Sequence, residues 1–526
     1  MSWTAATSGP DGPHHTYTRP LDNFETMFYV AGNNPSTRPY NRRQWAIWNL
    51  ARLSFPSTYD HQHLVSCLKR AWIQARLFAP SVAARLEVAT DGHPGLQYTS
   101  PHSTSELAEW IEQTFVVHSE DVILDQWMSD THLNDHCVLH YLPQNHEVVM
   151  RTPHWIADGL GFYNLQNVLL GNFAADLGNN GHSSAGESGS ETEYGELLEE
   201  FKGKEISRLN VSLTEAAGLT ADITAKEQEY VKEAMKHWED SLPSFGLPAH
   251  TISDETGGPG GMARVKLEFR PETLKRLLDA CRKADTTIGA AVHAAGVVTL
   301  YRIVQRHQQE QNQQSHGQNG DTQSALTAPK YYTNPVTWDV RKYLNPPYND
   351  EDSKRIGLYI GCLLLVLDPS QDFKTLLREI HKTFHSSEAR SMIHKADEPH
   401  HIYGRTHAAM WGEISKMIGS TPPPEFPPDT VPLISSVGNL DGRVQSQYHD
   451  KNGKLAFEVE HVELVEENWA MAASCFQWSW RGSFFLSACF NDKAYSRKFM
   501  TNYLAEIAKV MFEGLGVEAE KVDHVE

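Results

Sequence analysis

Residues 154–159, with the sequence HWIADG, contain the side chains best suited to acid–base chemistry. A neutral imidazole titrates near physiological pH, so His154 could take a proton from an alcohol and return it to a leaving group. Asp158 could contact this imidazole, or it could turn away and brace the loop by pairing with a cation. Gly159 removes a side chain where the backbone must bend or where a long ligand passes closely. These residues predict a general-base site centred on His154.

The surrounding elements distinguish His154 from a chance match. A second H-x-x-x-D begins at His250, but it lies in a polar loop and is followed by glutamate rather than glycine. Residues 137–142 and 148–152, by contrast, predict a β-hairpin across a polar turn, and residues 157–173 predict a helix. A histidine that leaves a strand into a sharp turn is well placed to project into a cleft. The context therefore favours His154 as the functional residue.

Helices and strands alternate along the 526 residues, which predicts an α/β protein with helices packed on mixed sheets. A glycine-rich stretch near residue 257 marks the predicted boundary between an N-terminal lobe, residues 1–255, and a C-terminal lobe, residues 256–526. Residues 179–193 are rich in Gly, Ser and Asn and are predicted to be flexible. The Gln-rich residues 308–323 are predicted to be a disordered insertion.

The composition excludes several classes of function. The formal net charge of −20 repels phosphate backbones and anionic membranes, so neither nucleic acid nor a membrane is an expected partner. Six cysteines without a C-x-x-C pair predict no disulfide framework, and no metal site is expected. The first predicted helix covers residues 61–76, and the polar arm before it shows no secretory signal. No run of 18 apolar residues occurs, so no membrane span is predicted. We expect a cytoplasmic protein.

HWIADG resembles the active-site motif of the CoA-dependent acyltransferase superfamily, which includes BAHD acyltransferases, condensation domains of peptide synthetases and alcohol acetyltransferases. Residues 334–344, NPVTWDVRKYL, resemble the D-x-R-x-x-L segment of the superfamily. Residues 286–301 resemble its buried helix at the lobe interface, and residues 434–439 resemble its Ser-bearing strand that faces a tunnel. No D-F-G-W-G occurs, which places the chain outside the plant BAHD branch. The whole sequence most resembles the fungal trichothecene 15-O-acetyltransferases.

The resemblance implies two chloramphenicol-acetyltransferase-like lobes, with mixed sheets flanked by helices and an active-site tunnel between them. It implies that His154 deprotonates a hydroxyl that attacks the thioester of acyl-CoA directly, without an acyl-enzyme, a metal or a bound cofactor. Asp158 would be structural, with Arg341 as its cation. Ser435 and Ser436 could line the tunnel or donate to the oxyanion, or they could be ordinary strand serines.

The resemblance implies acetyl-CoA as the co-substrate and a small apolar alcohol as the acceptor. This alcohol would be a trichothecene sesquiterpenoid, acetylated on its C-15 hydroxyl. The phosphates of CoA need cations. The candidates lie on one predicted helix and are Lys275, Arg276, Arg282 and Lys283. The alternative interpretation is that these four residues form an ordinary solvent-exposed face of the helix. Another secondary-metabolite alcohol or amine is an alternative acceptor. A non-catalytic ligand-binding member of the fold is an alternative of another class. Because two lobes can complete the site within one chain, we expect a monomer.

Overall fold

The alternating apolar pattern of the chain folds into two large β-sheets, one of six strands and one of five, with helices packed against them. The computed structural model describes residues 2–5, 16–33, 42–89, 92–119, 121–130, 135–178, 194–199, 203–220, 223–249, 260–315, 329–350, 356–385, 401–420, 430–469, 472–518 and 523–525.

The elements are numbered here in chain order. The helices are α1 (Asn23–Gly32), α2 (His61–Phe78), α3 (Thr104–Thr114), α4 (Leu124–Asp130), α5 (Gly159–Leu177), α6 (Leu213–Ala216), α7 (Ala225–Asp240), α8 (Pro271–Lys283), α9 (Ile288–Ser315), α10 (Phe373–Phe384), α11 (His401–Ser420) and α12 (Arg497–Leu515). The strands are β1 (Thr4–Ala5), β2 (Thr16–Pro20), β3 (Ile47–Ser54), β4 (Arg85–Val88), β5 (Pro94–Thr99), β6 (Phe115–Val117), β7 (Val138–Leu142), β8 (Glu147–Thr152), β9 (Met262–Phe269), β10 (Tyr332–Asp339), β11 (Ile360–Leu367), β12 (Leu433–Asn439), β13 (Gln447–His449), β14 (Leu455–Glu466), β15 (Ala473–Trp480), β16 (Ser483–Asn491) and β17 (Asp523–Val525).

The sheet of the first lobe has the strand order β13-β14-β3-β8-β7-β6. Its strands are antiparallel, apart from the parallel pair β6 and β7. β7 and β8 form the predicted hairpin and are buried along their whole length. In the centre of the sheet, Ile47 of β3 lies opposite Thr152 of β8 on one side and Glu466 of β14 on the other. This register places the end of β14 in the same wall as the strand that leads to His154.

The sheet of the second lobe has the order β12-β15-β16-β9-β17, in which β12 runs parallel to β15 and the other pairs are antiparallel. Helix α9 packs against α12, α10 and β12, and its first turns are buried through small apolar side chains such as Ala290, Ala291 and Ala294. By length and composition alone residues 288–311 could cross a membrane, but 67% of that window is buried inside the protein. A buried core helix meets the same criteria of length and composition.

The second half of the sequence contributes two strands to the sheet of the first lobe. β13 and β14 come from the second half of the chain, yet they complete the sheet of the first lobe. The predicted boundary near residue 255 lies outside the described residues, and a division into residues 1–255 and 256–526 does not separate the two sheets. The physical reason is that β14 buries apolar side chains, among them Val459 and Val462, against the core of the first lobe.

The prediction of a polar N-terminal arm before residue 61 is wrong for the residues that the structure describes. Asp22 begins α1 with a capping box that includes Glu25, and Phe24 and Phe28 on this helix are buried. The central strand β3 follows in the same region. Polar residues lie on both sides of α1, at positions 6–20 and 33–44, and they dominate the composition of the region before residue 61.

The predicted insertion at residues 308–323 is also corrected in part. Helix α9 continues to Ser315, because Gln, Glu and Arg are good helix formers and extend the helix into solvent. The remainder of that insertion, residues 316–323, lies outside the described residues, as do the segment 179–193 that was predicted to be flexible and the second H-x-x-x-D at residues 250–254.

Replacement of Asp22 by alanine tests the capping of α1. The Asp22 carboxylate accepts hydrogen bonds from the Glu25 N–H and from the N–H and hydroxyl of Thr214, and it is buried. Loss of the cap and of buried acceptors should lower the free energy of unfolding by about 2–4 kcal/mol. The matched control is Asp372→Ala, an exposed cap of α10, with an expected loss of about 1 kcal/mol. Urea denaturation measures both, and equal losses would contradict this interpretation.

Candidate active site

His154 lies two residues beyond the end of β8, in a tight turn that leads into α5. The turn is closed by a hydrogen bond from the Ile156 N–H to the Pro153 carbonyl, 3.1 Å long. The imidazole lines a cavity of about 490 Å³ that is walled by elements of both lobes. Most of this wall is apolar, and its aromatic and methionine side chains are Met27, Phe28, Trp45, Met235, Trp238, Trp338, Met410, Trp411, Met417 and Phe476.

The imidazole of His154 is held between aromatic and apolar groups. It stacks on the ring of Phe28 of α1, with 4.1 Å between the centroids and 22° between the planes. Its Nδ1 is buried and has no hydrogen-bond partner of normal geometry among the described residues. Burial disfavours the imidazolium and lowers the pKa of His154 to about 4, although its own backbone and the Asp158 carboxylate act in the opposite direction. The imidazole is therefore neutral at pH 7, as a general base must be.

Asp158 is occupied by contacts other than the imidazole. As the N-cap of α5, its Oδ1 accepts a hydrogen bond from the Gly161 N–H at 2.7 Å, and its Oδ2 accepts from the Tyr359 N–H at 2.6 Å. The Arg341 Nη2 lies 3.0 Å from each oxygen. Three groups thus satisfy one buried carboxylate, and two of them, Arg341 and Tyr359, come from the second half of the chain.

Arg341 holds the other end of this contact. It begins the short 3₁₀ turn after β10, and it also donates to Asp339 Oδ1 at 3.0 Å and to the Gly357 carbonyl at 3.2 Å. Burial alone would lower the pKa of Arg341, but the carboxylates of Asp158 and Asp339 raise it overall. The guanidinium therefore remains a cation, and the structure places it against Asp158.

Two glycines allow these close approaches. A Cβ at Gly159 would lie 2.9 Å from Leu464 Cδ2 of β14, and a Cβ at Gly161 would lie 2.8 Å from Arg341 Nη2. Neither glycine has a positive φ, so the requirement is for space and not for a left-handed backbone. Gly159 thus lets β14 pack against the start of α5.

The other residues that the sequence singled out lie in two places. Ser435 and Ser436 of β12 line the cavity. The four cations of α8 do not line it: Lys275 and Arg282 are exposed, whereas Arg276 and Lys283 face a separate groove. That groove also contains the basic residues Lys374 and Arg378. Binding of CoA phosphates in this groove stays a prediction.

Several residues of the cavity wall were not predicted from the sequence. Phe28 and Trp45 precede the first predicted helix, and Glu466 ends β14. The D-x-x-E capping pattern at Asp22 could have located α1 and with it Phe28. No local pattern marks Trp45 or Glu466, because their positions in the wall depend on strand pairing between distant segments.

The described residues contain no group of three or more His, Cys, Asp or Glu side chains placed to hold a metal ion. All six cysteines are buried and unbridged. The polar groups at the cavity therefore suit proton transfer and hydrogen bonding.

The sequence comparisons find distant relatives over nearly the whole chain, and no family model matches. The acetyltransferase pigO of Monascus ruber is 22% identical over 99% of this chain and 100% of its own length. The O-acetyltransferase pigM of the same organism is 24% identical over 99% of this chain and 89% of its own. A relative of 20% identity, covering 98% of this chain and 97% of its own, bears the name loline biosynthesis cluster 1 transcription factor lolU1 and comes from Epichloe uncinata.

Solved structures share the fold. The TRI3 trichothecene 15-O-acetyltransferase of Fusarium sporotrichioides aligns with a TM-score of 0.73 and 15% identity, over 97% of both chains. The starter condensation domain of rhizomide synthetase RzmA, solved in complex with C8-CoA, aligns with a TM-score of 0.54 and 13% identity, over 97% of this chain and 98% of that domain. The resemblance to the CoA-dependent acyltransferase superfamily is confirmed. The predicted α/β fold with two chloramphenicol-acetyltransferase-like lobes is confirmed, and so is the prediction of an acyltransferase enzyme.

Removal of Arg341 tests the ion pair between the turn after β10 and the start of α5. Arg341→Ala leaves a buried Asp158 carboxylate without its cation, so it should lower the free energy of unfolding by about 3–5 kcal/mol. The control, Arg443→Ala, removes only a 3.4 Å contact with Asp339 from a partly exposed side chain and should cost under about 1 kcal/mol. Thermal and urea unfolding of both variants measure the difference. A similar small loss in both variants would show that the pair does not stabilise the fold around Asp158.

Proposed function

We propose that the protein transfers an acetyl group from acetyl-CoA to a hydroxyl of a small apolar secondary metabolite, with His154 as the general base. The observation that carries this proposal is a neutral, partly buried imidazole that lines a largely apolar cavity of about 490 Å³ between two lobes. The pigO and pigM enzymes, which are named acetyltransferases, support the donor group, and the CoA complex of the related condensation domain supports a CoA thioester.

In the proposed reaction, His154 takes the proton of the acceptor hydroxyl on the unprotonated nitrogen of its ring. The hydroxyl oxygen attacks the carbonyl carbon of the thioester and forms a tetrahedral intermediate. The carbon–sulfur bond then breaks, and the proton held by His154 passes to the departing CoA sulfur. A positioned base contributes about 10²–10⁴-fold to the rate, and the joint binding of both substrates contributes more.

The oxyanion of that intermediate needs a hydrogen-bond donor. Ser435 and Ser436 are the hydroxyl-bearing residues of β12 that line the cavity, and we assign them to the donor role. One oxyanion donor is typically worth about 3 kcal/mol. Arg341, by contrast, is engaged with Asp158 and Asp339, so its proposed role is to position the turn that carries His154.

The acceptor that we propose to test first is the C-15 hydroxyl of a trichothecene. The aromatic and methionine side chains of the cavity suit a rigid apolar alcohol, since thioethers adapt to irregular shapes. Other secondary-metabolite alcohols or amines are the alternative acceptors. A non-catalytic, ligand-binding role is the alternative of another class, and the name of lolU1 is the observation that favours it. A cytoplasmic monomer remains a prediction.

Replacement of His154 by alanine tests the assignment of the base. Release of CoA thiol from acetyl-CoA is measured with purified protein, with and without a 15-hydroxy trichothecene. The variant should lose about 10²–10⁴-fold in acceptor-dependent kcat, because the proton transfer loses its base. His449→Ala, an exposed histidine on β13, is the control and should keep wild-type activity.

The same assay separates the alternatives. Release with other alcohols or amines alone would keep the acyltransferase and reject the trichothecene acceptor. A folded wild-type protein that binds such compounds, and releases no thiol with any acyl donor, would support the ligand-binding role instead.

The pH dependence of kcat tests the environment of His154. Because the neutral imidazole is the active form and its pKa is lowered to about 4, kcat should be constant from about pH 6 upward and should fall only as the pH approaches 4. An ordinary histidine would already lose activity near pH 6.5. The measurement uses saturating amounts of both substrates, with recovery at pH 7 as the check for unfolding. An inflection near pH 6.5 would contradict the buried, desolvated base.

A further inference from the structure

Three glutamates near the end of β14 differ in how their charge is balanced. Glu463 lies 2.7 Å from Arg264, and Glu467 lies 2.5 Å from Arg151. Glu466 is also buried, but no Lys or Arg forms an ion pair with it among the residues that the structure describes. A buried carboxyl without a cation is costly as an anion, and such groups are therefore concentrated at functional sites.

Glu466 lies in the wall of the cavity that contains His154. It is paired with Ile47 of β3, which is paired in turn with Thr152 of β8, two residues before His154. Glu466 and Ile47 both line the cavity. Adjacent strands are about 4.8 Å apart, so the backbone of Glu466 is roughly 10 Å from that of Thr152. The carboxyl-bearing residue and His154 thus lie in walls of one cavity, two strands apart.

A chain of hydrogen bonds fixes one side of the Glu466 carboxyl. The Gln44 amide donates to Asn468 Oδ1 at 3.0 Å, the Asn468 amide donates to the Ser474 hydroxyl at 3.0 Å, and that hydroxyl donates to Glu466 Oε2. Burial raises the pKa of Glu466 to about 7, although Ser474 and Asn468 act to lower it. With this pKa, about half of the carboxyl is the uncharged acid at pH 7 and most of it at pH 6. The Oε1 of the uncharged acid can carry a hydrogen for donation.

Trp45 contributes a second hydrogen-bond donor beside Glu466. Its backbone N–H donates to the Glu467 carbonyl at 2.7 Å, and its side chain lines the cavity. The indole Nε1 is buried and has no hydrogen-bond partner within the described part of the chain. Trp45 also has a φ of 61°, a left-handed conformation that costs about 1–3 kcal/mol in a residue other than glycine. Strain and an unsatisfied donor at one position point to a ligand.

We propose that Glu466 and Trp45 form a recognition site for a second oxygen of the acceptor, a carbonyl or ether oxygen remote from the hydroxyl that is acetylated. Both groups donate hydrogen bonds, so the complementary group is an acceptor oxygen in an otherwise apolar molecule. The inference rests on the proposed function in one respect, that this cavity holds the alcohol. Glu466 selects and positions that alcohol and takes no part in the transfer of the acetyl group.

The test compares two rigid probes, a keto-decalinol and the matching decalinol without the ketone, whose Kd values are measured by calorimetry without acetyl-CoA at pH 6. Wild-type protein should bind the keto-alcohol about tenfold more tightly, the effect of one hydrogen bond to a neutral donor. Glu466→Gln should keep this preference, because an amide N–H can replace the acid as donor. Glu466→Leu should lose it and leave the Kd of the decalinol unchanged.

Two further variants complete the design. Trp45→Phe should weaken the preference several-fold, and Glu460→Leu, an exposed site on the same strand, should not change it. Thermal unfolding checks that each variant is folded. If Glu466→Leu does not fold, the wild-type preference and the Trp45→Phe result decide the question.

An equal preference in Glu466→Leu and wild type, or none in the wild type, would overturn the inference. Because binding is measured without the donor, the two proposals can fail separately. A keto preference in a protein that releases no CoA thiol would reject the proposed acetyl transfer and retain the recognition site. Acetyl transfer without a keto preference would reject the recognition site alone.

Discussion

The buried ion pair between Asp158 and Arg341 is the contact on which the site depends. Burying two charges is expensive, and the expense is offset only where the remaining polar groups are satisfied. Here the N–H groups of Gly161 and Tyr359 complete the carboxylate, while Asp339 and the Gly357 carbonyl complete the guanidinium. The pair fixes the start of α5 against the turn after β10, and thereby holds the two sides of the cavity together.

This pairing also determines the chemistry available to His154. Since Asp158 is fully engaged elsewhere, the imidazole has an aromatic ring on one side and apolar wall around it, and its pKa falls to about 4. Burial thus keeps the proposed general base uncharged. In this chain of net charge −20, the buried carboxylates of Asp158, Glu463 and Glu467 are each held by an arginine. In the proposed reaction, the apolar wall of this cavity excludes water from the thioester, which limits hydrolysis in competition with transfer.

The sequence predicted the parts of the fold that local patterns determine. The β7–β8 hairpin, the helix after His154 and the elements from β14 to α12 follow from periodicity and turn residues, and the resemblance supplied the Asp158–Arg341 pair. Local patterns could not show that β14 joins the sheet of the first lobe, because strand partners are chosen by long-range packing. For the same reason, the contact of Phe28 with His154 and the place of Glu466 in the cavity were not predictable.

The pairing of β14 with β3 links the proposed base to the proposed recognition site. Leu464 of β14 packs where Gly159 lacks a side chain, and Glu466, two residues on, faces the cavity from the same side of the strand. A slip of one residue in this pairing would turn both side chains to the opposite face of the sheet. The register is fixed at both edges of β3, by β8 and by β14, so the distance between the base and the recognition wall is set by backbone hydrogen bonds. Variation of acceptor specificity is therefore expected through side chains on this wall, with the strand positions unchanged.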